Sequence, residues 1–304
     1  MLLTKYINSK IYKIILISLY ISLIIGFLFN ENSSGGAEWD FNKLSFLIQS
    51  FSNNFSYTLD HYEDFKVSHY PYYYIFLSWL LSAFGSFLIL KLIILHLSIL
   101  LPFLFYKIIK IKFPEINKNY LIILSGIFFL SPYFRSSAIW GMSDNVALIF
   151  FSLSIFFYLK IDLFKHKFLI KLLFIFLQTI SLAMAAYIRQ YYAIFFIYFF
   201  IKFIFSLNLK ELIFYSSINI FFALPALSQT FNGNLVYSMN FFTKDLFSNL
   251  ILFMTIFSFY LIPIYMDKIN IKKLVYYYQS HKFIVMLLIF FSIILFFIYD
   301  YTQA

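Results

Sequence analysis

Apolar runs close to twenty residues long recur from one end of this chain to the other, and no stretch between them would bury a soluble core. Each run is long enough to cross a hydrocarbon layer of about 30 Å as a helix. A helix satisfies its own backbone hydrogen bonds where no water can do so. The 304 residues are 62% hydrophobic, 24% aromatic and 12% charged, less charge than a soluble domain of this size exposes. The expected fold class is therefore all-α, a polytopic transmembrane helical bundle that forms a single membrane domain over residues 1–304. About nine to ten spans are expected.

Charge gives an orientation. The net charge of +10 does not point to nucleic acid, because the lysines sit in short clusters between apolar runs rather than in a stripe. That distribution is the positive-inside bias of a multi-pass protein. Cysteine is absent, so there is no disulfide, thiolate metal site or cysteine nucleophile. The segment Lys10–Asn30 lacks a small-residue cleavage site and is followed by further spans, so it reads as a retained first helix rather than a signal peptide.

The clear spans are 12–29, 120–133, 144–160, 168–187, 191–206, 213–228, 247–266 and 283–299. Segment 71–107 is long enough for two helices, with a weak break at Gly85-Ser86 and a charge at Lys91. If the lysine clusters share one side, that segment makes one net crossing. It is then either one long tilted helix or a spanning helix plus an interfacial one. Seventeen of the 21 lysines then face inward, while both arginines, Arg135 and Arg189, and nine of the 13 acidic residues face outward. The outer set comprises loop 30–70, Ser131–Asp144, Arg189-Gln190 and the loop near 229–246.

The first outer loop carries the densest chemistry. Gly35-Gly36 frees the backbone just after the first span, and Glu38 and Asp40 follow at the membrane surface. Phe41, Leu44, Leu47, Ile48, Phe51 and Phe55 then recur at helical spacing, which reads as an amphipathic helix along the interface. A partly desolvated carboxylate there suits a general base. The alternative is a pair of solvated loop acids, one capping the helix at 41. Arg189-Gln190 closes an apolar run, and its fork suits phosphate oxygens; the alternative is a snorkelling arginine among lipid headgroups. Arg135 and Asp144 flank Trp140-Gly141 and are either site residues or a structural ion pair. His69 precedes Tyr70-Pro71, and Pro71 opens the next helix. His61, His69, His96, His166 and His281 have no metal-binding spacing, so no metal site is expected.

Three segments, Gly35-Gly36-Ala37-Glu38-Trp39-Asp40-Phe41, His69-Tyr70-Pro71-Tyr72-Tyr73-Tyr74 and Ser131 to Asn145, together with Ile188-Arg189-Gln190-Tyr191-Tyr192, carry a resemblance. In this order they resemble the GT-C superfamily of membrane glycosyltransferases, near the bacterial protein-mannosyltransferase-like members. The Arg189-Gln190 step is also similar to the alpha-1,2-glucosyltransferases of the dolichol pathway. The resemblance covers about residues 10–205 and implies a catalytic module over 1–206, with 207–304 as additional transmembrane helices.

It also implies transfer of a sugar from a polyprenyl-phosphate-linked donor to a glycan, lipid or protein acceptor at the outer face. No cofactor is implied beyond the lipid-linked substrate. By the resemblance, Asp40 or Glu38, with Asp40 the better match, is the acidic residue of the first outer loop that acts as base or positions the acceptor. Arg189 is implied as the phosphate ligand, with Gln190 and Arg135 as further candidates for that role, and the His69 segment matches the opening of the next helix. The adjacent Asp-Glu pair usual in the family is replaced here by Ala37-Glu38. Membrane lipids are the expected surroundings. The expected location is the cell (inner or plasma) membrane as a multi-pass protein, or the ER membrane in a eukaryote. The competing readings are a transporter or flippase of lipid-linked saccharides, an oligosaccharide polymerase or ligase, and a non-catalytic scaffold. Lys91, His96 and Pro102 bear on the first, since transporters keep such residues near mid-bilayer.

Overall fold

The computed structural model describes residues 9–67, 69–164 and 167–231, together with Met286. The chain divides into two compact units, Met1–Leu235 and Val236–Ala304, and the first holds every described residue but Met286. The expected span 247–266 lies outside the described residues, as do 283–299 apart from Met286 and most of the loop near 229–246.

The described residues form helices joined by turns, with no strand among them. In chain order the helices are α1 (Ser9–Leu28), α2 (Ala37–Asn53), α3 (Phe55–Asp60), α4 (Tyr72–Phe84), α5 (Phe87–Ser98) and α6 (Leu100–Lys112). They continue with α7 (Lys118–Gly126), α8 (Pro132–Ile139), α9 (Ser143–Leu163), α10 (Phe168–Ile188), α11 (Ile194–Ile204) and α12 (Leu209–Phe231). Three stretches are long and apolar enough to cross a membrane: Phe87–Lys112, which joins α5 to α6, Ser143–Leu163 and Phe168–Ile188. A fourth candidate is the bent pair Lys118–Leu130 plus Pro132–Ile139, turned by 65°.

That bend replaces the straight span expected over 120–133. Pro132 has no amide hydrogen to continue a helix from below, so it starts a new one at its first position. Ser131 caps that helix by accepting from the Phe134 amide at 3.4 Å.

Segment 71–107 breaks where its sequence suggested. Gly85 sits in the left-handed region at φ +66° and closes α4. The chain restarts at Phe87 and runs 26 residues to Lys112 without a large bend. The single tilted helix over 71–107 is thereby replaced by α4 followed by one span. Lys91, His96 and Pro102, which have no evident partners in the sequence, find settled places. Lys91 lies over Trp140 (4.3 Å to the ring centre) and Phe41 (5.3 Å), and the Tyr20 hydroxyl lies 3.1 Å from the His96 ring. Pro102 is buried within α6.

In α2, Phe41, Leu47, Ile48 and Phe51 are buried, while Lys43 and Phe46 are exposed. This follows most of the spacing, but Leu44 is only half-buried and Phe55 falls in α3, where it is exposed. The helix begins four residues earlier than expected, at Ala37, so Glu38 and Asp40 lie in its first turn rather than in a loop. Gly36 is the cap residue, and no side chain caps the helix. The unpaired first-turn amides and the positive end of the helix dipole favour acids there.

The main apolar core gathers side chains from α1, α2, α4, α5, α6, α8, α9 and α10. A second cluster joins Ile161, Ile175, Leu182, Phe199, Phe203 and Tyr215. At its edge Lys171 and Glu211, both buried, pair at 2.6 Å and tie α10 to α12.

Candidate functional site

Helices α9 and α10 form an antiparallel pair, so the start of one and the end of the other meet. Asp144 opens α9 and Arg189 follows the last residue of α10. Arg189 leaves the helix in an extended conformation (φ −139°, ψ 106°). One guanidinium nitrogen donates to Asp144 Oδ2 at 2.8 Å. Another donates to His69 Nε2. The Nε–H is buried and has no acceptor among the described residues.

His69 is fixed from several sides. Its backbone carbonyl accepts from the buried Tyr62 hydroxyl at 2.7 Å, and its Nδ1 lies 3.2 Å from Gln190 Oε1. Arginine has no acceptor to offer, so Nε2 must accept and the proton must sit on Nδ1, facing Gln190. Burial is the largest cause that pushes the imidazole below its ordinary pKa of 6.5, followed by the Arg189 charge. The Gln190 bond and the charges of Asp144 and Asp40 oppose them. The neutral ring is thus the form matched to its surroundings.

These residues border a cavity of about 180 Å³. Arg189, His69 and Asp40 line it, with Lys43, Lys66 and Ser143. Tyr73 and Tyr74 of α4 form part of its wall. Gly141, at φ +66°, makes the turn between α8 and α9, and its carbonyl accepts from the buried Tyr73 hydroxyl at 2.6 Å. A carboxylate, an imidazole and a guanidinium therefore share one small space at one end of the bundle.

The structure brings together four of the residues singled out in the sequence, namely Asp40, His69, Asp144 and Arg189, with Gln190 holding the His69 ring. It separates the other two. Glu38 shares the first turn of α2 with Asp40 but does not line the cavity; its charge is felt at Lys91 instead. Arg135 is turned away. Its Nε donates to Glu31 Oε1 at 2.7 Å and a second nitrogen donates to Glu31 Oε2. Its remaining bonds go to Ser22 O at 3.0 Å, Ser22 Oγ at 3.2 Å and Phe129 O at 3.2 Å. The Arg135–Asp144 ion pair, one of the two readings of these residues, is not formed, because each has another partner. Nor is Arg135 free for a ligand, since Glu31 saturates the face that would take one.

Two residues went unnoticed in the sequence. Glu31 locks the end of α1 to α8, and its carbonyl also accepts from the Trp140 indole at 3.0 Å. Asn145 is buried and donates to Phe134 O at 2.9 Å and Ser98 Oγ at 3.2 Å, which holds the corner that presents Asp144. A polar amide directly after Ser143-Asp144, at the start of an apolar helix, was the available signal.

A second cavity, of about 490 Å³, adjoins through the neighbouring residues Tyr70 and Gln190. It lies among α10, α11 and α12 and is lined mainly by Ala, Phe and Tyr side chains. Among the described residues no group of three or more His, Cys, Asp or Glu is placed to hold a metal ion. No protein-family model, curated protein or solved structure matches the chain.

Proposed function

We propose that this chain is a membrane glycosyltransferase of the GT-C type, transferring a sugar from a polyprenyl-phosphate-linked donor to an acceptor hydroxyl at the outer face of the cell membrane. The reading extends to a multi-pass topology of about nine to ten spans, with α2 lying in the interface. The observation that carries it is the convergence of Asp40 and Arg189 on one cavity. The large apolar cavity next to that polar one supports an amphiphilic substrate, with a hydrocarbon chain on one side and a phosphate on the other.

The chemistry follows from the side chains present. Asp40 takes the proton of an acceptor hydroxyl as its oxygen bonds to the anomeric carbon. The bond from that carbon to the phosphate oxygen breaks, and the polyprenyl phosphate departs with both electrons. Arg189 meets the developing negative charge with a planar fork suited to phosphate. Neutral His69 keeps that fork oriented, and Asp144 holds its other edge. Preorganised donors of this kind stabilise the transition state without reorganising during the reaction. Lys91 and His96 are packed against aromatic rings and line neither cavity, which weighs against a transport pathway through them.

The test is to incubate the purified protein in lipid nanodiscs with polyprenyl-phosphate-linked hexoses and candidate acceptors. The expected result is release of polyprenyl phosphate in step with glycosylated product. Movement of intact donor between leaflets, with no product for any donor and acceptor pair, would favour a flippase instead.

A further inference from the structure

We infer that Lys66 is a second phosphate anchor in this site, facing the donor headgroup together with Arg189; the inference rests on the glycosyltransferase reading of the same cavity. Two observations carry it. The first is charge. The cavity is lined by Lys43, Lys66 and Arg189 against the single carboxylate of Asp40. Arg189 is already balanced by Asp144 at 2.8 Å, and the Lys43 amine lies over the Trp39 ring, 5.3 Å from its centre. Lys66 is the lining cation whose ammonium has no carboxylate and no ring among the described residues. A cavity this small with a surplus cation suits an anion.

The second observation is the backbone. Lys66 adopts φ +50° and ψ +41° at the end of the short 3-10 turn Tyr62–Phe65. Glycine or asparagine takes this conformation with less strain than lysine does. The turn is over-determined from elsewhere: the Lys66 amide donates to Glu63 O at 3.0 Å, and the Tyr62 hydroxyl ties down His69 O at 2.7 Å. Folding alone thus gives lysine no advantage at this position, whereas a cation at the cavity wall does.

This makes a clean test, because Lys66→Asn and Lys66→Gly both suit the backbone. Binding of farnesyl phosphate, and separately of inorganic phosphate, is measured on the purified full-length chain at low ionic strength, along with the melting temperature. In Lys66→Asn the dissociation constant for farnesyl phosphate rises about tenfold, the scale of a lost charge-assisted hydrogen bond. Its melting temperature is no lower than that of wild type, and Lys66→Arg stays within about threefold of wild-type affinity. The same proportional loss for inorganic phosphate places Lys66 on the headgroup. Wild-type affinity in Lys66→Asn, or a loss confined to farnesyl phosphate, overturns the assignment and leaves the glycosyltransferase reading standing. Failure of the wild-type chain to bind either probe overturns both.

Discussion

Replacing Glu31 by alanine tests whether Arg135 is a structural residue rather than a substrate ligand. The change removes two bonds from a guanidinium whose side chain is only 13% exposed. Breaking a fully buried ion pair by deleting one partner costs about 3–5 kcal/mol, whereas an exposed pair is worth about 0.2–1 kcal/mol. Glu31 is 26% exposed, and Arg135 keeps its contacts to Ser22 and Phe129. Solvent screening and those contacts bring the expected loss to about 2 kcal/mol. That corresponds to a fall in melting temperature of roughly 4–8 °C for a domain of about this size. Thermal unfolding of the purified protein in detergent measures it.

The same pair can be attacked from a third residue. A Cβ built on Gly26 collides with the Glu31 carboxylate and the Arg135 guanidinium, so Gly26→Ala destabilises in the same direction. The double variant Glu31→Leu, Arg135→Met recovers much of the loss, because it leaves no buried charge behind. The hydrogen bonds from Arg135 are the largest cause holding the Glu31 carboxyl below its ordinary pKa of 4.5, with partial burial opposing them. This stabilisation is therefore complete above about pH 4.5 and is lost as the pH falls through the lower folded value. A wild-type melting temperature in Glu31→Ala, or normal folding with lost donor affinity in Arg135→Ala, would refute the structural role of this pair.

Glu211→Ala strands Lys171 between α10 and α12, with side chains only 9% and 4% exposed, and costs about 3–5 kcal/mol in thermal unfolding; pairing it with Lys171→Met restores stability. His69 has a lowered pKa, so its contribution to stability is intact above the ordinary value of 6.5 and declines as the pH falls toward the folded value. The melting temperature and the transfer rate fall together over that window, and His69→Gln flattens the acid limb of the melting profile. Asp144→Asn keeps the shape but removes the counter-charge of Arg189, and it raises the donor KM more than it lowers kcat. Equal loss in both, measured by steady-state kinetics, would give Asp144 a direct part in the chemistry.

How much was legible in the sequence depends on distance along the chain. Local signals held up. Gly85 stopped a helix, Pro71 stands at the start of one, and the apolar spacing of α2 marked most of its buried face, whereas Pro132 broke the span expected over 120–133. The acids of α2 were visible as a cluster, but Asp40 and Glu38 could not be told apart. They are two residues apart at the start of a helix, so they point in different directions, and the directions are set only when α2 packs on α4 and the α8–α9 corner. Arg189 was legible because an arginine that ends an apolar helix is unusual. His69, in the turn before α4, and Asp144, at the start of α9, were also singled out, but nothing local announced that they would meet Arg189.

The misreading of Arg135 has the same origin. Asp144 is nine positions away and suggested a pair, whereas Glu31 lies 104 positions away and wins because α1 delivers it against α8. Lys66 was hidden for another reason. Left-handed backbone in a lysine leaves no trace in composition or periodicity.

The central claim is that Asp40 is the base of a sugar transfer and that Glu38 is not. It is tested most directly by single-turnover transfer from a polyprenyl-phosphate-linked donor in Asp40→Asn and Glu38→Gln, with donor binding measured on the same preparations. Asp40→Asn is expected to bind donor normally and to transfer at least about 100-fold more slowly, the lower scale of a lost general base. Glu38→Gln is expected to keep a rate close to wild type. Full transfer in Asp40→Asn, or a loss confined to Glu38→Gln, would contradict the claim.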